Sequence, residues 1–230
     1  MIFRQLFDAT SSTYTYLLAE QRGGEALIID PVLEHVDQYL QLIEELDLKL
    51  VIAMDTHIHA DHVTGIGELA RSSACASAIG EQAKAECVST KFTDGELIKA
   101  DNLGVRALYT PGHTDDSYSF VMNDRIFTGD TLLIRGTGRT DFQNGDAAAQ
   151  YDSLFGKILR LPEDTLVYPA HDYEGRTVST IYEEKRFNPR LQVKSRLEYI
   201  EQMESLQLDP PKLIDVAVPS NRQCGLVMAA

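Results

Sequence analysis

The chain has 230 residues, enough for one large domain or two small ones around a sizeable buried core. Hydrophobic residues make up 43% and charged residues 24%, values of a soluble globular protein, and no apolar stretch reaches the ~18 residues of a membrane span. Asp plus Glu number 35 against 21 Lys plus Arg, a formal net charge of -14 that repels phosphate backbones, so no nucleic-acid partner is expected and an anionic substrate needs local arginines.

Two β-rich runs open the chain, at residues 14–18 and 26–30, and the Arg22-Gly23-Gly24 turn between them predicts a hairpin. Val36, Tyr39, Leu40, Ile43 and Leu46 recur at helical spacing, the apolar stripe of a surface helix. His35, beside Glu34 and Asp37 at its start, reads as a solvated surface residue. Residues 48–54 are a continuous apolar run of strand length, which predicts a buried central strand. Further strands are predicted at residues 74–79, 103–109, 118–122, 125–128 and 165–168, with a helix over 146–161. Two helices close the chain near 177–187 and 195–206, the second starting on the capping-box pattern Ser195-x-x-Glu198. The whole reads as α/β: one mixed domain over residues 1–230, with a helical C-terminal extension from about residue 177. Cys75, Cys87 and Cys224 are odd in number and contain no Cys-x-x-Cys, which reads as three reduced thiols rather than a disulfide framework. The N-terminus has no basic region before a long apolar core, so a signal peptide is not expected and the protein is assigned to the cytoplasm.

Chemistry concentrates at His57-Ile58-His59-Ala60-Asp61-His62, directly after the central apolar run. Three of the chain's six histidines stand there, and imidazole with carboxylate is the ligand set that suits zinc, iron or manganese. His113 in Thr110-Pro111-Gly112-His113, Asp130 in Thr128-Gly129-Asp130, and His171 in Pro169-Ala170-His171 each follow a predicted strand. All four loops therefore converge at strand ends, where open α/β sheets place ligands. Seven donors suffice for two metals: His57, His59 and His113 on one zinc, Asp61, His62 and His171 on the other, with Asp130 between them. The alternative takes two histidines and one carboxylate on a single iron with open positions. Ligand types alone do not choose.

The series His57-x-His59-x-Asp61-His62, His113, Asp130 and His171 resembles the metallo-β-lactamase superfamily, which implies an αββα sandwich with the metal at one edge of the paired sheets. Residues 133–143, Tyr168-Pro169-Ala170-His171-Asp172-Tyr173, Thr177-Val178-Ser179-Thr180, Asn188-Pro189-Arg190-Leu191 and Ala217-Val218-Pro219-Ser220-Asn221 resemble the persulfide dioxygenases within it. That resemblance implies one Fe(II) per subunit on the triad His57, His113 and Asp130. His59, Asp61, His62 and His171 then orient ligands and waters. The implied reaction converts glutathione persulfide, O2 and water to glutathione and sulfite, in a protein that resembles family members forming homodimers. Arg139, Tyr173, Arg176 and Asn221 are the candidate contacts to the anionic tripeptide. The competing reading is a dinuclear zinc hydrolase holding two Zn(II), of the glyoxalase II or lactonase type.

Overall fold

The computed structural model describes residues 1–226, beginning with β1 (Ile2–Asp8), paired antiparallel with β2 (Thr13–Ala19). β2 pairs in turn with β3 (Glu25–Ile29), which is the hairpin expected around Gly23 and Gly24. β4 (Lys49–Met54) lies between β3 and β5 (Ala76–Gly80), parallel to both, and β6 (Thr90–Phe92) ends this six-stranded sheet. The central place of β4 explains its unbroken apolar sequence. Side chains alternate between the faces of a strand. Leu17, Ala19, Ala26, Ile28 and Leu50 accordingly share one face with Ala53, which joins it because a bulge at Val51 shifts the β4 register, and they pack against Val36, Tyr39 and Ile43 of α1 (Val36–Glu45) and Ile66 and Leu69 of α2 (Ile66–Ser73). Leu17 and Ile28 are fully buried, and burial of each such side chain contributes about 1.5–3 kcal/mol.

Contacts divide the chain into two compact units: Met1–Phe92, Leu97–Val105 and the chain from Pro210 onward in the first, Thr93–Glu96 and Arg106–Asp209 in the second. The second sheet has the order β12-β11-β10-β9-β8-β7, where β7 is Leu97–Ala100, β8 Leu103–Tyr109, β9 Tyr118–Val121, β10 Arg125–Phe127, β11 Leu166–Tyr168 and β12 Ser179–Thr180. Around it the second unit buries Ile126, Leu154, Ile158, Val167, Ile181 and Tyr199, drawing on α3 (Ala147–Gly156), α4 (Ile181–Phe187) and α5 (Arg196–Glu204). Asp146 caps α3 by accepting from the amides of Ala148 and Ala149. The helix stops at Gly156, short of the expected Leu161, and a 3-10 turn over Ile158–Arg160 follows. α4 starts later than expected because Ser179 and Thr180 first pair with β11, and the Thr180 hydroxyl then accepts from the Glu183 amide. Ser195 caps α5 as predicted, but the Glu198 carboxylate accepts from Lys194 N, one residue earlier than a reciprocal box requires.

Two expectations are corrected. Cys87 and Cys224 are not free thiols: they form a disulfide with Cα atoms 5.9 Å apart, and only Cys75 is a free, buried thiol among the described residues. The partners stand 137 residues apart, so the pair is made by the return of α6 (Ile214–Asn221) to the first unit and has no local signature. His35 is not simply solvated; its Nε2 lies 3.0 Å from Asp8 Oδ1.

Asp8 Oδ2 accepts from the Ser11 amide at 2.7 Å and the Ser11 hydroxyl at 2.6 Å. Burial by itself raises this carboxyl, but the two Ser11 bonds and His35 outweigh it and bring it from an ordinary 3.8 down to about 2. A lowered carboxyl stabilises the fold above its unfolded value and loses that contribution as pH falls through the folded value. Asp8→Asn is therefore expected to reduce unfolding free energy by about 2 kcal/mol at pH 7. The difference from wild type should shrink between pH 4 and pH 2, as followed by denaturant unfolding across that range.

Candidate metal centre

In the first unit the ligand loop leaves β4 and meets Asp30, which stands just past β3 with φ +51 and is 1% exposed. Asp30 Oδ1 accepts from Thr56 N at 2.7 Å and meets His59 Nε2 at 3.1 Å, while Oδ2 accepts from the Thr56 hydroxyl at 3.1 Å. That hydroxyl has one proton, and Asp30 receives it. Thr56 Oγ1 must then accept from His57 Nδ1, 2.9 Å away, which leaves Nε2 as the nitrogen that could take a metal. His59 gives its Nε2 proton to Asp30, which leaves Nδ1 as the nitrogen that could take a metal. His62 Nδ1 lies 2.9 Å from Asp61 Oδ2, and Thr13 Oγ1 donates to that same oxygen at 3.1 Å. His59, Asp61 and His62 offer ligand atoms within 4.8 Å of one another, as do Asp30, Asp55 and His59.

This donor set fits a cation. Burial opposes charge on His59, yet Asp30, then Asp55 and Asp61, lift its imidazole to about 9. The cluster thus stabilises positive charge in a fully buried place, and a divalent metal supplies such charge through the same imidazoles and carboxylates. Asn221, expected as a substrate contact, is 2% exposed and serves the loop's backbone: Oδ1 accepts from Thr64 N at 2.8 Å, and Nδ2 donates to the carbonyls of His59 and His62 at 2.9 Å each.

In the second unit β8 and β10 are each antiparallel to β9, and β10 is parallel to β11, so β8, β10 and β11 all point their carboxyl ends to one edge. His113, Asp130 and His171 follow those three ends. Phe127 of β10 is paired with Tyr168 of β11, and three residues later each loop reaches its donor. The matched spacing puts His171 Nδ1 2.7 Å from Asp130 Oδ1. His113 Nε2 is 3.5 Å from Asp130 Oδ2. Its Nδ1 lies 2.7 Å from the Arg139 carbonyl, which only accepts, so Nδ1 carries the proton and Nε2 is the nitrogen that could take a metal. The His171 ring is buried, while the His113 and Asp130 side chains retain 13% and 12% exposure. Gly112 has φ +141, and a Cβ there would lie 2.3 Å from Gln150 Cα of α3. A Cβ on Gly138 would meet Asp130 O at 2.2 Å and His113 Nδ1 at 2.8 Å.

Arg139 is held inside the second unit. It donates to both Asp141 oxygens at 2.6 and 2.7 Å and to the Leu208 and Asp209 carbonyls at 3.1 and 2.5 Å, and lies over the Phe142 ring. Tyr173 is 73% exposed and stacks on the His171 ring with centroids 6.0 Å apart. Arg176 is exposed and pairs with Glu174, while its amide donates to Asp172 at 2.7 Å. Asp30, Thr56 and Thr13 were missed from sequence. Asp30 alone had a signal, a carboxylate at a strand's carboxyl end just before Pro31.

The sequence profile of the metallo-beta-lactamase superfamily matches residues 9–87 and 88–171. The chain belongs to that superfamily and has its fold, the α/β architecture expected from the histidine series. A metallo-beta-lactamase from Staphylococcus aureus subsp. aureus COL is 25% identical with a TM-score of 0.90, covering 100% of this chain and 74% of that one. Over 98% of its length the chain is also 47% identical to the mitochondrial persulfide dioxygenase ETHE1 of Mus musculus and 46% identical to that of Homo sapiens, 89% of each being covered. The crystal structure of ETHE1 from Myxococcus xanthus matches with a TM-score of 0.95 and 54% identity, covering 98% of this chain and 100% of that one. Within the superfamily, this chain belongs to the persulfide dioxygenase family. Among the described residues no helix is long and apolar enough to cross a membrane.

Gly138→Ala forces a methyl group against Asp130 O and His113 Nδ1, an overpacking that costs about 1–3 kcal/mol. Metal affinity is expected to fall on the order of tenfold or more. Gly156→Ala, where a Cβ meets nothing within 4 Å, should leave metal content unchanged. Metal per chain after equilibration with a competing chelator measures both.

Proposed function

We propose that this chain is a non-haem Fe(II) persulfide dioxygenase that oxidises glutathione persulfide with O2 and water to glutathione and sulfite. One Fe(II) per subunit is held by His57, His113 and Asp130. The observation that carries this reading is 47% identity, over 98% of the chain, to a protein named persulfide dioxygenase. The donors support it, because two imidazoles and one carboxylate are the ligand set of non-haem iron oxygenases. Ferrous iron in such a set supplies open positions where a soft sulfur donor and dioxygen meet and exchange electrons.

The chain's own residues prepare that set. Thr56 holds His57 as the Nδ1–H tautomer, and the Arg139 carbonyl does the same for His113. His171 anchors one oxygen of Asp130 and so aims the other. His59, Asp61 and His62 orient the loop and bind water beside it. Tyr173, stacked on His171, and Arg176, three residues further on, are exposed and are the side chains offered to the tripeptide. Arg139 acts at one remove, since its bonds to Asp141 brace the loop whose carbonyl holds His113.

The test is oxygen uptake by the Fe(II)-loaded protein on addition of glutathione persulfide, with zinc-loaded protein as control. Iron-dependent uptake that yields sulfite is expected. Asp130→Ala should lose iron and turnover together, turnover falling on the order of a hundredfold or more. Absence of uptake in protein that retains iron, together with oxygen-independent thioester hydrolysis by the zinc form, would overturn the assignment. Wild-type iron content and rate in Asp130→Ala would overturn the triad.

A further inference from the structure

The two ends of the Cys87–Cys224 disulfide sit differently: Cys224 is 1% exposed, whereas Cys87 is only partly buried. The Cys224 end carries the ties that hold the ligand loop. Asn221, three residues earlier, bonds to His59 O, His62 O and Thr64 N. The Cys224 carbonyl accepts from Gly67 N at 3.2 Å. Gly225, with φ +70, runs so close to the loop's end that a Cβ there would lie 2.0 Å from Thr64 O. Val218 of α6 packs against the cluster of Ile58, Ile79, Ala83 and Ala85, as do Cys87 and Val88, and Ile58 stands between His57 and His59.

α6 itself is weak. Its eight residues include Pro219, which removes a helical hydrogen bond, and helices so short do not persist in water alone. Val216 is 59% exposed, so its apolar surface is only partly used. Among the described residues the disulfide is the one cross-link, beside the main chain itself, that ties the segment just after this helix to the stretch packed against Ile58.

We propose that Cys87–Cys224 is a thiol-exchange site for low-molecular-weight thiols, and that its oxidation state sets how firmly α6 holds the loop at residues 57–67. A thiolate attacks the accessible Cys87 sulfur and the S–S bond breaks. The electron pair leaves on the Cys224 sulfur, which takes a proton. A second thiolate attacks the small-thiol sulfur of the mixed disulfide at Cys87. The products are the Cys87 thiol and the disulfide of the two small thiols, which supply both electrons. With the covalent tie cut, Asn221 and the Cys224 carbonyl keep their partners only through non-covalent contacts, and the loop opens more often.

Amide hydrogen exchange, followed by NMR on the full-length protein in iron-loaded and metal-free forms, tests this without reliance on turnover. On reduction with glutathione, the Thr64 and Gly67 amides should exchange about tenfold faster or more. The Asp30 amide, bonded to Met54 O at 2.9 Å within the sheet, should keep its rate. Iron release to a chelator should accelerate in step. Cys87→Ser without reductant should reproduce the reduced rates and then ignore glutathione. Unchanged Thr64 and Gly67 rates would overturn the proposal. So would a uniform rise that includes Asp30, or three titratable thiols in the air-oxidised protein.

Discussion

One buried carboxylate, Asp30, decides what two neighbouring histidines offer. A carboxylate that is 1% exposed is tolerable only when its oxygens are satisfied, and here Thr56 N, Thr56 Oγ1 and His59 Nε2 satisfy them. Satisfaction has a direction. Because the Thr56 proton goes to Asp30, Thr56 Oγ1 must accept from His57, and because His59 donates directly, its tautomer is the opposite one. His57 thereby turns the lone pair of Nε2 outward from these bonds, and His59 that of Nδ1. Histidines two apart in sequence present different nitrogens, and neither choice is made by the histidine.

The second unit reaches the same end by sheet register. Two antiparallel steps through β9 make β8 and β10 parallel, and the Phe127–Tyr168 pairing makes the following loops leave at one level. His171 meets Asp130 because both are three residues past that pair. Gly138 then lets the chain pass within a Cβ's reach of Asp130 O and His113, closing the Arg139 carbonyl onto His113 Nδ1. Backbone pairing sets the level, and the missing side chain permits the approach.

These two routes explain which features were legible in the sequence. The hairpin, α1 and β4 show as periodicity or as an apolar run, and the donors show because three histidines and a carboxylate in six positions have no packing explanation. The strand-end positions of His113, Asp130 and His171 follow from the short β-like runs before them. β1 was not legible, since Ile2, Phe3, Leu6 and Phe7 do not alternate, and the strand touches only β2. β12 has two residues, and α6 contains a proline and carries no apolar stripe. Thr56 and Asp30 act through hydrogen-bond direction, which exists only once β3 and β4 lie side by side. Arg139 and Asn221 had the residue types of a substrate site, but type does not reveal whether a side chain's partners are internal.

The ligand loop is local in sequence but not in its support. Asn221 lies 162 residues from His59 and 159 from His62, and its amide bridges both carbonyls. Contacts of that separation carry a loop-closure cost that must be met before they return any stability. The loop leaves β4 directly, while its backbone bonds are completed only by α6. A tie made at such sequence separation by so small an element is where local opening is cheapest. The disulfide from Cys224 to Cys87 is placed against that weakness: it holds α6 to the stretch that packs with Ile58, inside the histidine cluster itself.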